Sequence, residues 1–120
     1  MIKIYLKKEL GKEGEDIAVK YLKSNGYKII ERNFYARQGE IDIIAKQNKE
    51  WIFIEVKTRT SDNFGKPVEA VNKIKKEHLI KTIKYYVYHN KIETEDIRID
   101  VIEVYKINKK FIINHIKQVM

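Results

Sequence analysis

The apolar positions of this chain change period along its length, and each change marks an element. Around "GKEGEDIAVKYLKSNG", residues Leu10, Ile17, Ala18, Tyr21 and Leu22 recur at helical spacing. This predicts a helix ended by "SNG" with Gly26 as its C-terminal stop. Three strand-like runs follow, "YKIIERNF", "EIDIIAK" and "WIFIEVK", with turn residues in "YARQG" and "QNKE" between them. Connections this short predict an antiparallel meander. A polar loop, "TRTSDNFGK", then leads to Pro67, which suits the first turn of a second helix. From Val68 onward, Val71, Ile74, His78 or Leu79, Thr82 or Ile83, and Tyr86 keep a 3.6-residue period to about His89. "IRIDVIEVYK" reads as a fourth strand, and "FIINHIK" pairs with it across the "NKK" turn.

The resulting order is αβββαβ(β), an α/β arrangement with helices flanking a mixed sheet. There is no internal repeat, no low-complexity tract and only one proline, so residues 1–120 are expected to form one domain.

Composition narrows the class. With 43% apolar and 35% charged residues, the chain is globular rather than disordered. It has no cysteine, which excludes a disulfide scaffold, a thiolate metal site and a cysteine nucleophile, and agrees with a cytoplasmic location. "MIKIYLKKEL" is too short and too often interrupted by lysine for a signal peptide or a membrane span, so no membrane association is expected. The net charge of +8 favours a polyanionic partner, nucleic acid before acidic membrane surface. Lysine richness alone is the plainer reading of the same number.

The strand-like segment "GEIDIIAKQNKEWIFIEVKTR" holds charges where burial is costly. Side chains two apart share a face of a strand, so Glu40, Asp42 and Ile44 are expected on one face and Ile41 and Ile43 on the other. In the next strand Trp51, Phe53, Glu55 and Lys57 share a face. In a suitable register Asp42 and Glu55 meet, with Lys57 one pleat further on. Two facing carboxylates repel, a divalent cation removes the repulsion, and oxygen ligands select Mg²⁺ or Mn²⁺. A lysine beside such a site can orient a water or neutralise developing charge. Glu55-x-Lys57 is the only acid-x-Lys triplet in the chain, so its place at a strand end after an Asp-bearing strand carries the signal. The competing reading is a structural salt bridge of Glu55 with Lys57 or Arg59.

These residues also carry a resemblance. "GEDIA", "YLK", "ERNF", "GEIDII", "FIEVKTR", a Phe-Gly-x-Pro-x-Glu-Ala-Val stretch and a lysine early in the second helix resemble the YraN-like family of small bacterial proteins. That family is similar to the PD-(D/E)xK nuclease superfamily, especially archaeal-type Holliday-junction resolvases. The resemblance runs from about Leu10 to Val104 and implies a restriction-endonuclease-like fold and a metal-dependent endonuclease acting on DNA. It implies Asp42 and Glu55 as metal ligands, the Val56 carbonyl and Glu15 as further ligands, and Lys57 as the catalytic lysine. Ile41 stands where the superfamily motif has proline.

Further candidates are less specific. Lys66, Lys73, Lys75, Lys76, Lys81 and Lys84 make the second helix and its approach basic, with Tyr85, Tyr86 and Tyr88 near its end. They read as phosphate contacts, with Lys75 favoured by the resemblance, or as a solvated lysine face with core tyrosines. Arg59 can reach phosphate from the polar loop, where Phe64 and Gly65 suit a flap; turn bonds from Asp62 and Asn63 are the alternative. His78, His89 and His115 lack metal-ligand spacing, and neither a serine triad nor a phosphate-binding glycine loop is present. Three functions follow: a Mg²⁺-dependent DNA endonuclease, a non-catalytic module for branched or nicked DNA, and a scaffold that binds no DNA. A two-fold DNA junction would suit a homodimer.

Overall fold

The computed structural model describes residues 2–60, 73–93 and 96–119. Helix α1 (Ile2–Ser24) leads into strands β1 (Lys28–Ala36), β2 (Gly39–Gln47) and β3 (Glu50–Thr60). Helix α2 (Lys73–His89) follows, then β4 (Ile97–Ile107) and β5 (Lys110–Ile116). The strands form one five-stranded sheet in the order β1-β2-β3-β4-β5. Pairing is antiparallel throughout except for β3 and β4, which are parallel. A parallel pair needs a crossover, and α2 lies on it. The αβββαββ order and mixed sheet are those the sequence predicts, and they fit a nuclease-like fold.

Each face of the sheet has its own core. Ala18, Val19 and Leu22 of α1 pack on Ile43, Ala45, Ile52, Ile54 and Ile102. On the opposite face Leu79, Ile83, Tyr86 and Val87 of α2 pack on Ile41, Ile44 and Phe53. The β-branched and aromatic residues of the central strands are thus covered on both sides, which explains their near-continuous apolar runs. Leu22 is fully buried, and truncating such a leucine to alanine costs about 2–5 kcal/mol.

The helix stop is as expected: Gly26 takes φ +84°, and the Tyr27 N–H donates to the Leu22 carbonyl at 3.0 Å. Close packing fixes where α1 sits. A methyl group on Gly14 would overlap the Thr58 side chain on β3, so the helix approaches the sheet at a residue with no Cβ.

The structure corrects three expectations. The first helix starts at Ile2, well before the "GKEGEDIA" run that signals it. Ile74 is exposed, and the buried face of α2 is Leu79, Thr82, Ile83, Tyr86 and Val87. Finally, Ile41 and Ile43 do not share a face: Ile41 packs beneath α2 with Ile44, while Ile43 packs beneath α1. The side-chain alternation reverses at Asp42. Across β1, the register runs Arg32↔Ile43 and Phe34↔Ile41, which sets Asn33 opposite Asp42. Asn33 adopts φ +52°, a left-handed residue inside a strand, and such a residue turns the pleat over. The expected loop bearing Lys66, Phe64, Gly65 and Pro67, with the start of the second helix, lies outside the described residues.

Candidate metal and phosphate site

β2 and β3 pair from Gln47↔Glu50 to Ile43↔Ile54, and there their register ends. Beyond that point β2 continues with β1 and β3 continues with β4, so the sheet forks. Asp42 and Glu55 are the first residues past the fork. The Val56 N–H, which lies at the same place, donates to Asp42 Oδ2 at 2.8 Å. One oxygen of Asp42 is therefore fixed by backbone, which orients the carboxylate.

The electrostatics of the pair are strained. Burial, then the negative charge of Glu55, pushes the Asp42 carboxyl up to about 7, and the Val56 N–H only partly offsets this. Burial also raises Glu55, against the pull of Lys57 and then Lys75. Lys57 Nζ lies 3.9 Å from Glu55 Oε1. Burial lowers the Lys57 ammonium and Glu55 raises it, with Lys75 adding a further lowering. Two carboxylates and two lysines thus meet in one half-buried place.

A cleft of about 220 Å³ opens beside them, lined by Gly39, Glu40, Glu55, Lys75, His78 and Leu79. Gly39 shapes its wall. A Cβ there would lie 3.2 Å from Thr82 Oγ1 and 3.6 Å from His78 Cβ, so the β1–β2 turn presses against α2 where a side chain would crowd it. Thr82 Oγ1 in turn donates to the His78 carbonyl at 2.7 Å.

Not every candidate joins this group. Glu15 adds to the negative field at Asp42, but its Oε1 accepts from Arg32 Nε at 3.1 Å and from Asn33 Nδ2 at 2.9 Å. Arg59 donates to the buried Glu103 at 3.2 Å, and Glu103 also accepts from Asn114 Nδ2 at 2.9 Å. The Arg59 guanidinium is thus tied down on the sheet. Lys73 and Lys76 are exposed on the first turn of α2. Among the described residues no three His, Asp or Glu side chains converge as a preformed metal cage. The oxygen-only pair Asp42 and Glu55 still fits Mg²⁺ or Mn²⁺, because Mg²⁺ is held by one or two carboxylates and keeps several waters or substrate oxygens.

Two contributors escape the sequence reading. Asn33 supports Glu15 and faces Asp42, and the only local sign was a poor strand former inside a strand run. Glu103 decides where Arg59 goes, and its partner is 44 residues away. No helix among the described residues is long and apolar enough to cross a membrane.

A forked mixed sheet between two helices, with Asp, Glu and Lys at the fork, places this chain in the class of nuclease-like α/β folds. A family model described as "Uncharacterised protein family UPF0102" matches residues 14–104, and the chain belongs to that family, the YraN family. The match takes in Glu15, Asp42, Glu55, Lys57 and Lys75. A UPF0102 protein of Clostridioides difficile is 49% identical over 109 residues, covering 91% of this chain and 94% of its own. One from Alkaliphilus oremlandii is 46% identical over 114 residues, 93% of this chain and 97% of its own. A third, from Carboxydothermus hydrogenoformans, is 40% identical over 114 residues, 95% of this chain and 97% of its own.

Proposed function

We propose that this chain is a divalent-metal-dependent nuclease that hydrolyses phosphodiester bonds in DNA. The observation that carries the reading is the meeting of Asp42 and Glu55 at the fork, with Lys57 beside them. Burying two like charges together without compensation is unfavourable, and Glu55 lines an open cleft rather than a closed core. Asp42, Glu55 and the Val56 carbonyl would hold the cation. When bound, Mg²⁺ neutralises phosphate charge and makes water a better nucleophile at neutral pH.

The remaining roles belong to the chain. The Val56 N–H holds Asp42 in one orientation. Lys57, its charge weakened by burial and by Lys75, sits where it can orient the attacking water and stabilise charge that develops on the phosphoryl oxygens. Lys75 supplies a phosphate contact in the cleft, and the exposed Lys73 and Lys76 add contacts from the first turn of α2. Glu15 acts through the field at Asp42 and, held by Arg32 and Asn33, is the accessory carboxylate. A purely structural salt bridge is a weaker reading. Glu55 and Lys57 are 3.9 Å apart, whereas the structural pair Arg98–Asp100 closes to 2.9 Å.

The test is cleavage of end-labelled duplex, single-stranded and four-way-junction DNA with Mg²⁺, Mn²⁺ or EDTA. Metal-dependent cutting that is lost in Asp42→Ala and in Lys57→Ala is the expected result. Salt-sensitive binding with no cutting by wild type would instead make this a recognition module for branched or nicked DNA. No binding at moderate salt would remove DNA from the picture.

A further inference from the structure

The outer face of α2 is not used by the fold. Leu79, Thr82, Ile83, Tyr86 and Val87 turn inward, and the aromatics left outside are Tyr85, 42% exposed, and Tyr88, 80% exposed. At 3.6 residues per turn, His78, Lys81, Tyr85 and Tyr88 fall within one arc of roughly 80°. Lys84 flanks that stripe. Across Lys73–His89 five lysines face a single acid, Glu77. The stripe begins at the proposed site, because Lys75 and His78 line the cleft that holds Glu55. It ends at Tyr88, about 15 Å from His78 at 1.5 Å of rise per residue.

The rings there pack obliquely on their neighbours. Tyr85 packs on Phe34 at 6.3 Å with planes 32° apart, and His89 lies 4.2 Å from Tyr85. Among the described ring contacts Tyr88 meets only His89, in a T-shaped pair at 5.6 Å, and most of its ring is exposed. Exposed aromatic faces interleaved with lysine match one ligand chemistry: a polyanion with unstacked planar bases. A duplex buries its base faces and would use the lysines alone. A protein partner would favour a contiguous apolar patch, which Lys81 and Lys84 interrupt.

We infer that the outer stripe of α2 binds single-stranded nucleic acid flanking the cut site, with Lys81 and Lys84 on phosphates and Tyr85 and Tyr88 stacked on unpaired bases. This rests on the nuclease reading for its direction, since it leads a strand away from Lys57 and Lys75. The preferred substrate is then a duplex with a single-stranded arm.

The experiment compares a blunt duplex with the same duplex carrying a mixed-sequence single-stranded tail. Affinity is read by fluorescence anisotropy in EDTA, and cutting is read separately with Mn²⁺. Wild type is expected to bind the tailed DNA more tightly. Tyr85→Leu with Tyr88→Ala should weaken tailed binding roughly tenfold or more, since each base stack contributes measurably, and leave blunt-duplex binding unchanged. Tyr88→Ala alone, at an exposed residue outside the core of the fold, keeps the test open if the double variant unfolds. Equal wild-type affinity for both DNAs, or tyrosine variants that bind the tail as well as wild type, overturns the track. So does polyglutamate that displaces the tail as well as unlabelled tail DNA does, because charge alone would then explain binding. Retained Mn²⁺-dependent cutting in those cases leaves the nuclease reading standing. Tyrosine-dependent tail binding without any cutting supports the track and removes the nuclease.

Discussion

Asp42 and Glu55 stand side by side as the first residues beyond Ile43↔Ile54, the last pair that joins β2 to β3. Strand separation at that pair puts two half-buried carboxylates beside a cleft that Glu55 lines. The Val56 N–H then holds one of them by a 2.8 Å bond. Position, orientation and electrostatic strain all follow from where one ladder ends.

That strain sets a pH dependence. Burial and Glu55 raise Asp42 to about 7, above its unfolded value, so the folded state binds the extra proton between those limits. The contribution to stability is full at acid pH below the ordinary carboxylate value and is lost as pH rises through about 7. Asp42→Asn keeps an acceptor for Val56 and removes the charge. In metal-free buffer it should raise the unfolding midpoint at pH 8 by roughly 4–8 °C and have little effect at pH 4. A destabilised Asp42→Asn protein at pH 8 would show that the carboxylate is a favourable structural anion.

Asp100 should respond to acid in the opposite sense. Although burial alone pushes it up, His115 and Arg98 hold its carboxyl below the usual range. His115 Nε2 lies 2.7 Å from Oδ2, Arg98 donates to both oxygens at 2.9 Å, and the Gln118 N–H adds a bond at 3.0 Å. Tyr21 and Tyr27 extend the network to Nδ1 of His115 and to Arg98 at 2.9 Å each. Its stability contribution is present above the unfolded pKa and disappears as pH falls through the folded one. Asp100→Ala takes from the half-buried Arg98 guanidinium its two-oxygen partner, leaves it only the more exposed Glu50 as an ion pair, and should cost about 3–5 kcal/mol in denaturant unfolding. A loss under about 1 kcal/mol would mean water replaces the carboxylate.

Lys57 should matter for the chemical step far more than for binding. Lys57→Ala is expected to slow cleavage about 100-fold or more while changing DNA affinity much less. Single-turnover rates against anisotropy titrations separate the two. Equal losses in both would make Lys57 a phosphate contact only.

Gly14 provides a test of helix docking. Alanine in a helix is normally favourable over glycine by about 1 kcal/mol. Here its methyl would collide with Thr58, so Gly14→Ala should destabilise by about 1–3 kcal/mol. Adding Thr58→Ala, which clears the space, should recover most of that loss. Additive losses in the double variant would show that the clash is not the cause.

Much of this was legible beforehand, and the parts that were not share a cause. The three hairpin-linked strands, the crossover helix and the meeting of Asp42 with Glu55 depend on local period and short turns, which sequence displays directly. The reversal of faces at Asp42 depends on Asn33, in a different strand and in a backbone conformation that composition does not announce. Arg59 was open to phosphate or to a salt bridge, and Glu103, from the neighbouring strand β4, is its observed partner. The Asp100 network joins α1, Tyr27 between α1 and β1, β4 and β5, so each member reads alone as an ordinary residue of its own segment. The 3.6-residue period set Tyr86 apart from Tyr85 and Tyr88, and in the structure Tyr86 is the core ring while the other two are exposed.

The most direct measurement is Mn²⁺ binding by isothermal titration at pH 7.5 to wild type, Asp42→Asn and Glu55→Gln, with no DNA present. Saturable binding by wild type that is lost in both variants, and that weakens as pH drops below about 7, is the expected result. Wild-type protein that takes up no Mn²⁺, or variants that bind it as well as wild type, would contradict a cation site at the fork of the sheet.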